Sequence, residues 1–168
     1  MPKIIENLES KLIEEAQKQI RKVGYSATTI RSVAKGCGVG VGTVYNYFPS
    51  KENLLASYLL ADWKTCVAAI RDVSDRAETH RSVLESIYSQ LLAFSGRHQA
   101  IFMDAEASHA FAGSFSKYHG LLRAQLAEPL RKFCESDFSA EFIAESLLTW
   151  TMAGKSLDEI CGIVDKLF

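Results

Sequence analysis

The stretch Gly38-Val39-Gly40-Val41-Gly42-Thr43-Val44-Tyr45-Asn46-Tyr47-Phe48-Pro49 decides the fold. Upstream of it, Ile30, Val33, Ala34 and Cys37 recur at helical spacing. That helix can last only about two turns, because four of the ten glycines fall between Gly36 and Gly42. A second short helix restarts near Gly40 to Thr43, carries Val44, Tyr45, Tyr47 and Phe48, and is ended by Pro49. Ala34 is small where two helices cross closely, Gly38 permits a positive-φ turn, and Val39, Val44 and Phe48 pin the second helix onto the first. This is the pattern of a helix-turn-helix. Once Val44 and Phe48 face inward, Val41, Thr43, Asn46 and the rings of Tyr45 and Tyr47 are left for a DNA major groove.

Working outward, Ile5, Leu8, Leu12, Ala16, Ile20 and Val23 form the stripe of a first amphipathic helix, which Gly24 can cap. The next helix starts near Thr28. After Pro49, Ser50 offers an N-cap oxygen to a long helix running to about Ser74. The polar stretch Asp75 to Arg81 reads as a connection, and Leu84, Ile87, Tyr88, Leu91 and Leu92 resume the helical spacing. Further helices are expected at residues 99–111, 115–134, 140–152 and 157–168, with Pro129 kinking or dividing the second of these. The fold class is all-α: an N-terminal three-helix DNA-binding domain over residues 1–50, then a helical domain over 51–168 that opens with a connecting helix, 51–74.

The 168 residues carry a formal net charge of -1, which taken alone argues against a nucleic-acid partner. The average conceals an asymmetry. Residues 1–51 hold eight Lys or Arg against four acids, and the remainder eleven bases against sixteen acids. Between Arg21 and Lys51 there is no Asp or Glu at all, so a polyanion meets no repulsion from that segment's own side chains. No apolar run approaches the roughly 18 to 20 residues that span a bilayer, and Met1 to Glu9 is charged, so a cytoplasmic protein without a membrane partner is expected. Cys37, Cys66, Cys134 and Cys161 lie far apart with no C-x-x-C pair, which suggests neither a zinc site nor a disulfide scaffold. The glycines match neither G-x-G-x-x-G nor G-x-x-x-x-G-K-[ST] and follow no strand, so a nucleotide loop is rejected. No nucleophile–base spacing and no cofactor motif can be read, and we expect no catalytic residues, no cofactor and no metal; Glu106 and His109, three apart, lack a further ligand.

The run from Gly38 to Leu54, with Thr29-Ile30-Arg31-x-Val33-Ala34 before it, closely resembles the signature of the TetR family of transcriptional regulators. The similarity covers roughly residues 8 to 60. By that resemblance Thr29, Thr43, Tyr45, Tyr47 and Lys51 would contact phosphates, while Arg31, Val41, Gly42 and Asn46 would face base edges. Family members often have Ser where this chain has Gly40, so a capping hydroxyl is missing at the start of the reading helix.

The resemblance further implies that the helices after the DNA-binding domain dimerise and hold a ligand. Phe94, Phe102, Met103, Phe111, Phe115, Tyr118 and Trp150 exceed what a minimal bundle needs. With His119, Asp104, Glu106 and His109 as nearby polar anchors, they suggest a pocket for a small apolar or amphipathic effector. Phe142, Ile143, Leu147, Ile160, Val164 and Leu167 lie on two apolar stripes that would meet their copies across a two-fold axis. The function expected is a ligand-responsive repressor that binds double-stranded DNA at a palindromic operator as a homodimer. A structural or cell-division factor on the same fold, using a protein partner in place of a small molecule, is the alternative.

Overall fold

A computed structural model describes residues 7–112 and 115–168; of the side chains, those of 115–117 also lie outside it, as does Ile5 of the first stripe. Among the described residues there are helices and turns and no strand. The order is α1 (Leu8–Val23), α2 (Ile30–Cys37), α3 (Val41–Tyr47), α4 (Lys51–Arg76), α5 (His80–Phe102), α6 (Ala105–Phe111), α7 (Phe115–Ala127), a 3-10 turn (Glu128–Phe133), α8 (Asp137–Met152), α9 (Leu157–Val164) and a last 3-10 turn (Asp165–Leu167).

Two compact units result. The first takes residues up to Asp62 together with His98–Ala112, and the second takes Trp63–Arg97 and Gly113–Phe168. The first therefore extends past residue 50, gaining the opening turns of α4, the end of α5 and all of α6.

In the first unit α1 buries Leu8, Leu12 and Ala16 against Ile30, Val33 and Ala34 of α2, Val44 of α3, Phe48 and Leu54. Each large apolar side chain so buried contributes about 1.5–3 kcal/mol relative to exposure. Gly24 stops α1 at φ 87°, its N–H returning to the Ile20 carbonyl. A second cluster joins Ile20, Tyr25, Leu55 and Tyr58 to Ile101 of α5 and Ala107 of α6. A single helix over 99–111 is not formed. Residues 99–102 complete α5, and Asp104 starts α6 afresh by accepting the Ala107 N–H at 3.1 Å.

The second unit buries Trp63, Val67 and Ile70 of α4, Leu84, Ile87 and Leu91 of α5, Leu126 of α7, and Ile143 and Leu147 of α8. Trp63 meets Phe94 edge-on at 5.4 Å, and its indole N–H donates to Gln125 Oε1 at 2.7 Å. Pro129 divides the element expected over 115–134: the α-helix ends at Ala127 and a 3-10 turn carries the chain on. The helix expected over 140–152 starts earlier, at Asp137, because Ser136 caps it by accepting the Ser139 N–H. α9 ends at Val164 and a 3-10 turn takes the chain to Leu167. The four cysteines are free thiols.

Candidate nucleic-acid interface

Local chemistry fixes the geometry of α2 and α3 before any partner is present. Thr29 and Ser32 form a reciprocal capping box: the Thr29 hydroxyl oxygen accepts the Ser32 N–H at 3.0 Å, and the Ser32 hydroxyl oxygen accepts the Thr29 N–H at 3.0 Å. α1 reaches across to it, as Gln19 Oε1 accepts the Ser32 hydroxyl at 2.6 Å and Gln19 Nε2 donates to the Ser32 carbonyl at 3.1 Å. At the other end Gly38 adopts φ 67°, ψ 31°, and the Val39 N–H returns to the Ala34 carbonyl at 3.0 Å. This left-handed cap turns the chain so that Val44, fully buried, packs α3 onto α2.

α3 starts at Gly40, which supplies a carbonyl for the Thr43 and Val44 N–H groups and no side-chain cap. Its outward residues are Gly42, Tyr45, Asn46 and Tyr47, with Val41 and Thr43 half-buried at the edge. Tyr45 is 50% exposed and Tyr47 45%, whereas Phe48, one residue on, is 3% exposed. The difference follows from position: Phe48 comes four residues after the buried Val44 and shares its inward side, whereas Tyr45 and Tyr47 fall on either side of that line. Phe48 serves as the C-cap and not as a helical residue, its N–H donating to the Val44 carbonyl at 2.9 Å. Ser50 caps α4 as its sequence position suggests, accepting the Asn53 N–H at 3.2 Å.

Thr29, Arg31, Tyr45, Asn46 and Tyr47 thus stand exposed on neighbouring elements. The Thr29 hydroxyl, although its oxygen accepts in the cap, keeps its own hydrogen to donate. Lys51 sits differently. Its side chain is 18% exposed, its Nζ lies 3.1 Å from Glu106 Oε1, and it stacks 3.8 Å from the centre of the Tyr25 ring. Burial, with the charges of Glu52, Glu106 and Asp104 adding to it, pushes the Tyr25 phenol up to about 12. Asp104 accepts from the Ser26 N–H at 3.2 Å and from the Ser26 hydroxyl at 2.9 and 3.0 Å. The Ala107 N–H first, and then Ser26, hold its carboxyl below the usual range. Asp104 and Glu106 therefore do not serve a pocket: one caps α6, and the other pairs with Lys51. The stretch without acids in the sequence has acids brought to it by α6. The signal available in the sequence was Asp104 followed by Glu106, an N-cap and a first-turn acid.

The residues expected to line a pocket divide between the units. Phe102 and Met103 are exposed on the first unit, and Phe111 packs on the Tyr25 cluster. Of the rest, Phe94 is spent on Trp63, Tyr118 is half-buried, and His119 Nε2 lies 2.8 Å from Glu145 Oε1. Trp150 borders an open cavity of about 420 Å³ with Phe142, Ile160 and Ile163. Phe115's side chain lies outside the described residues.

Of the residues expected at a dimer face, Phe142 and Leu167 are exposed, but Ile143, Leu147, Ile160 and Val164 are spent on the unit's own core at 5% exposure or less. A side chain already buried has no surface left for a second chain. The outward apolar face is Phe138, Phe142 and Trp150 of α8 with Ile163 of α9. Among the described residues no group of three or more His, Cys, Asp or Glu is placed to hold a metal ion, and no helix is long and apolar enough to cross a membrane.

Comparison with known proteins shows what this geometry is similar to. Residues 12–58 match the model of the bacterial regulatory proteins of the tetR family. Over 88 residues, half of this chain and 30% of the relative, it is 32% identical to YuxN, an uncharacterized HTH-type transcriptional regulator of Bacillus subtilis. Over 96 residues, 53% of this chain and 44% of the relative, it is 34% identical to the HTH-type transcriptional repressor KstR of Rhodococcus jostii. The chain thus spans less than half the length of these curated relatives. In fold it resembles Thermus thermophilus FadR, a repressor solved in complex with lauroyl-CoA, at a TM-score of 0.65 and 20% identity over 95% of this chain and 92% of that one. The helix-turn-helix lies inside the segment that matches the bacterial regulatory proteins of the tetR family, and the chain as a whole is similar in fold to the FadR repressor.

Proposed function

We propose that the protein is a ligand-responsive repressor that binds a palindromic operator as a homodimer. The observation that carries this reading is the exposed Tyr45-Asn46-Tyr47 face of α3, held in place by the buried Val44 and Phe48. Thr29, Thr43, Tyr45, Tyr47 and Lys51 serve as phosphate contacts that set register, and Arg31, Val41, Gly42 and Asn46 read base edges. One such helix reads only a few base pairs, so a two-fold dimer reading two half-sites supplies the specificity. The outward face of Phe138, Phe142, Trp150 and Ile163 supports the dimer, since an apolar patch of that kind is covered in a working protein.

The effector is an apolar or amphipathic molecule, with fatty acyl thioesters the first class to try because the FadR neighbour holds one. An effector that prefers one arrangement of the second unit shifts α4 and with it the spacing of the two reading helices. A coupling of about 1–3 kcal/mol changes operator affinity 5- to 150-fold.

Selection of bound duplexes from a random library tests the core of the proposal. Inverted repeats should be enriched. Tyr47→Phe should weaken all sequences alike, whereas Asn46→Ala should change the preferred bases. Enrichment of single, unrepeated sites, or sequence-selective losses from both variants, would contradict it.

A further inference from the structure

Lys51 ends the stretch without acids and stands where the TetR-like signature places a phosphate contact, yet in the folded chain its charge is occupied. The ammonium lies between the Tyr25 ring, 3.8 Å from its centre, and Glu106 Oε1 at 3.1 Å. Glu106 is 55% exposed, so it also shows its negative charge to the surface a phosphate would approach. α6 is fastened in that position by a second attachment two residues earlier, where Asp104 accepts from both the N–H and the hydroxyl of Ser26. Both attachments join α6 to the segment carrying the helix-turn-helix, and both are exposed polar contacts of modest strength.

We infer that α6 is an electrostatic latch on the DNA face. With Glu106 seated on Lys51 the chain withholds one phosphate contact and keeps an anion beside it. Withdrawal of α6 from Ser26 and Lys51 frees a cation and removes an acid together, and DNA binding tightens. The arrangement described above is therefore the weaker of two binding states. The inference rests on the reading of Lys51 as a phosphate contact, and it adds a residue, Glu106, that touches no DNA and sets how much of Lys51 the DNA sees.

Phosphate contacts are indifferent to sequence, so the test needs no operator. The full chain is titrated against a fluorescein-labelled mixed-sequence duplex, with anisotropy read at several KCl concentrations. Glu106→Gln keeps the shape and removes the charge. It should tighten binding roughly five- to tenfold at about 0.1 M salt and steepen the dependence of log K on log salt by about one. Most of that gain should vanish when Lys51→Ala is added. Ser26→Ala, which loosens the second attachment without altering any charge, should give a smaller gain that also needs Lys51. If Glu106→Gln weakens binding, Glu106 positions Lys51 for the phosphate and the latch is overturned. If it tightens binding equally with and without Lys51, it acts as any surface acid and the latch is again overturned. Failure of the underlying reading looks different: Lys51→Ala would have no effect even in the Glu106→Gln background, or no form of the chain would bind the duplex.

Discussion

The α2–α3 pair and the α8–α9 pair both rely on a capping box, Thr29 with Ser32 in one and Ser156 with Glu159 in the other, yet they turn different chemistry outward. α3 exposes Tyr45, Asn46 and Tyr47 in a segment without acids of its own. α8 and α9 expose Phe138, Phe142, Trp150 and Ile163, with Lys155 and Glu159 at the margin of the cavity they border. Exposed aromatic rings alone do not say what a surface is for. A tyrosine at the surface keeps a donor for phosphate oxygens; a phenylalanine there has only apolar area to offer, and gains by losing contact with water.

The largest effect that separates the two regions concerns a single residue type. Phe48→Ala should cost about 3–5 kcal/mol, as expected for a buried ring, and unfold the first unit in a urea titration. Phe142→Ala, at 48% exposure, should shift the stability of the monomeric chain by no more than about 0.5 kcal/mol. Comparable losses from both would mean that the face of α8 is a core face, and the contrast would be gone.

Next comes association. Trp150→Asp places a charge on the outward face and should convert a dimer to a monomer in sedimentation velocity, with operator affinity falling at least tenfold. A dimer that survives the substitution would assign the face to another partner. Phe138→Asp should act in the same direction.

Two glycines of the reading motif should then respond oppositely. Gly38→Ala forces a side chain into φ 67° and should lose about 1–2 kcal/mol by thermal melting. Gly42 has open space where a Cβ would go, so Gly42→Ala should raise helix stability by about 0.5–1 kcal/mol while weakening DNA binding. Stability and function separate there only if Gly42 faces the DNA.

The smallest effect distinguishes the capping boxes themselves. The Ser156 N–H, then the Lys155 ammonium and the Ser156 hydroxyl, bring the Glu159 carboxyl down to about 2. A depressed carboxyl stabilises the fold above its unfolded value of about 4.5 and loses that contribution as pH falls toward 2. α9 should therefore fray between those values in acid titrations followed by amide exchange, and Ser156→Ala should flatten that response at a cost of about 1 kcal/mol near neutrality. The Thr29–Ser32 box has no carboxyl and should show no such window.

The helix-turn-helix was legible because Gly38, Val44, Phe48 and Pro49 each have one local reading, and those readings agree. α5 and α6 were harder: the spacing of Ile101, Phe102 and Phe111 runs through the break, and only the capping role of Asp104 separates the helices. On α8 the limit lies in periodicity itself. Phe142 and Ile143 are consecutive, about 100° apart around the helix, and both are apolar. Sequence identifies a wide apolar arc, and packing decides which edge goes inward. The partner of Lys51 could not be read at all, because Glu106 lies 55 residues away and arrives through the turn between α5 and α6.

The first unit is discontinuous in the chain, and this bears on how it is made. The cluster of Leu8, Leu12, Val33, Val44, Phe48 and Leu54 is complete once the ribosome has released α4's first turns. Ile20, Tyr25, Leu55 and Tyr58 must wait for Ile101 and Ala107, so about fifty further residues emerge while that apolar surface stays uncovered. The helix-turn-helix can form early, but the unit that carries it closes late, and a nascent chain stalled within α5 exposes a sticky patch beside a formed helix-turn-helix.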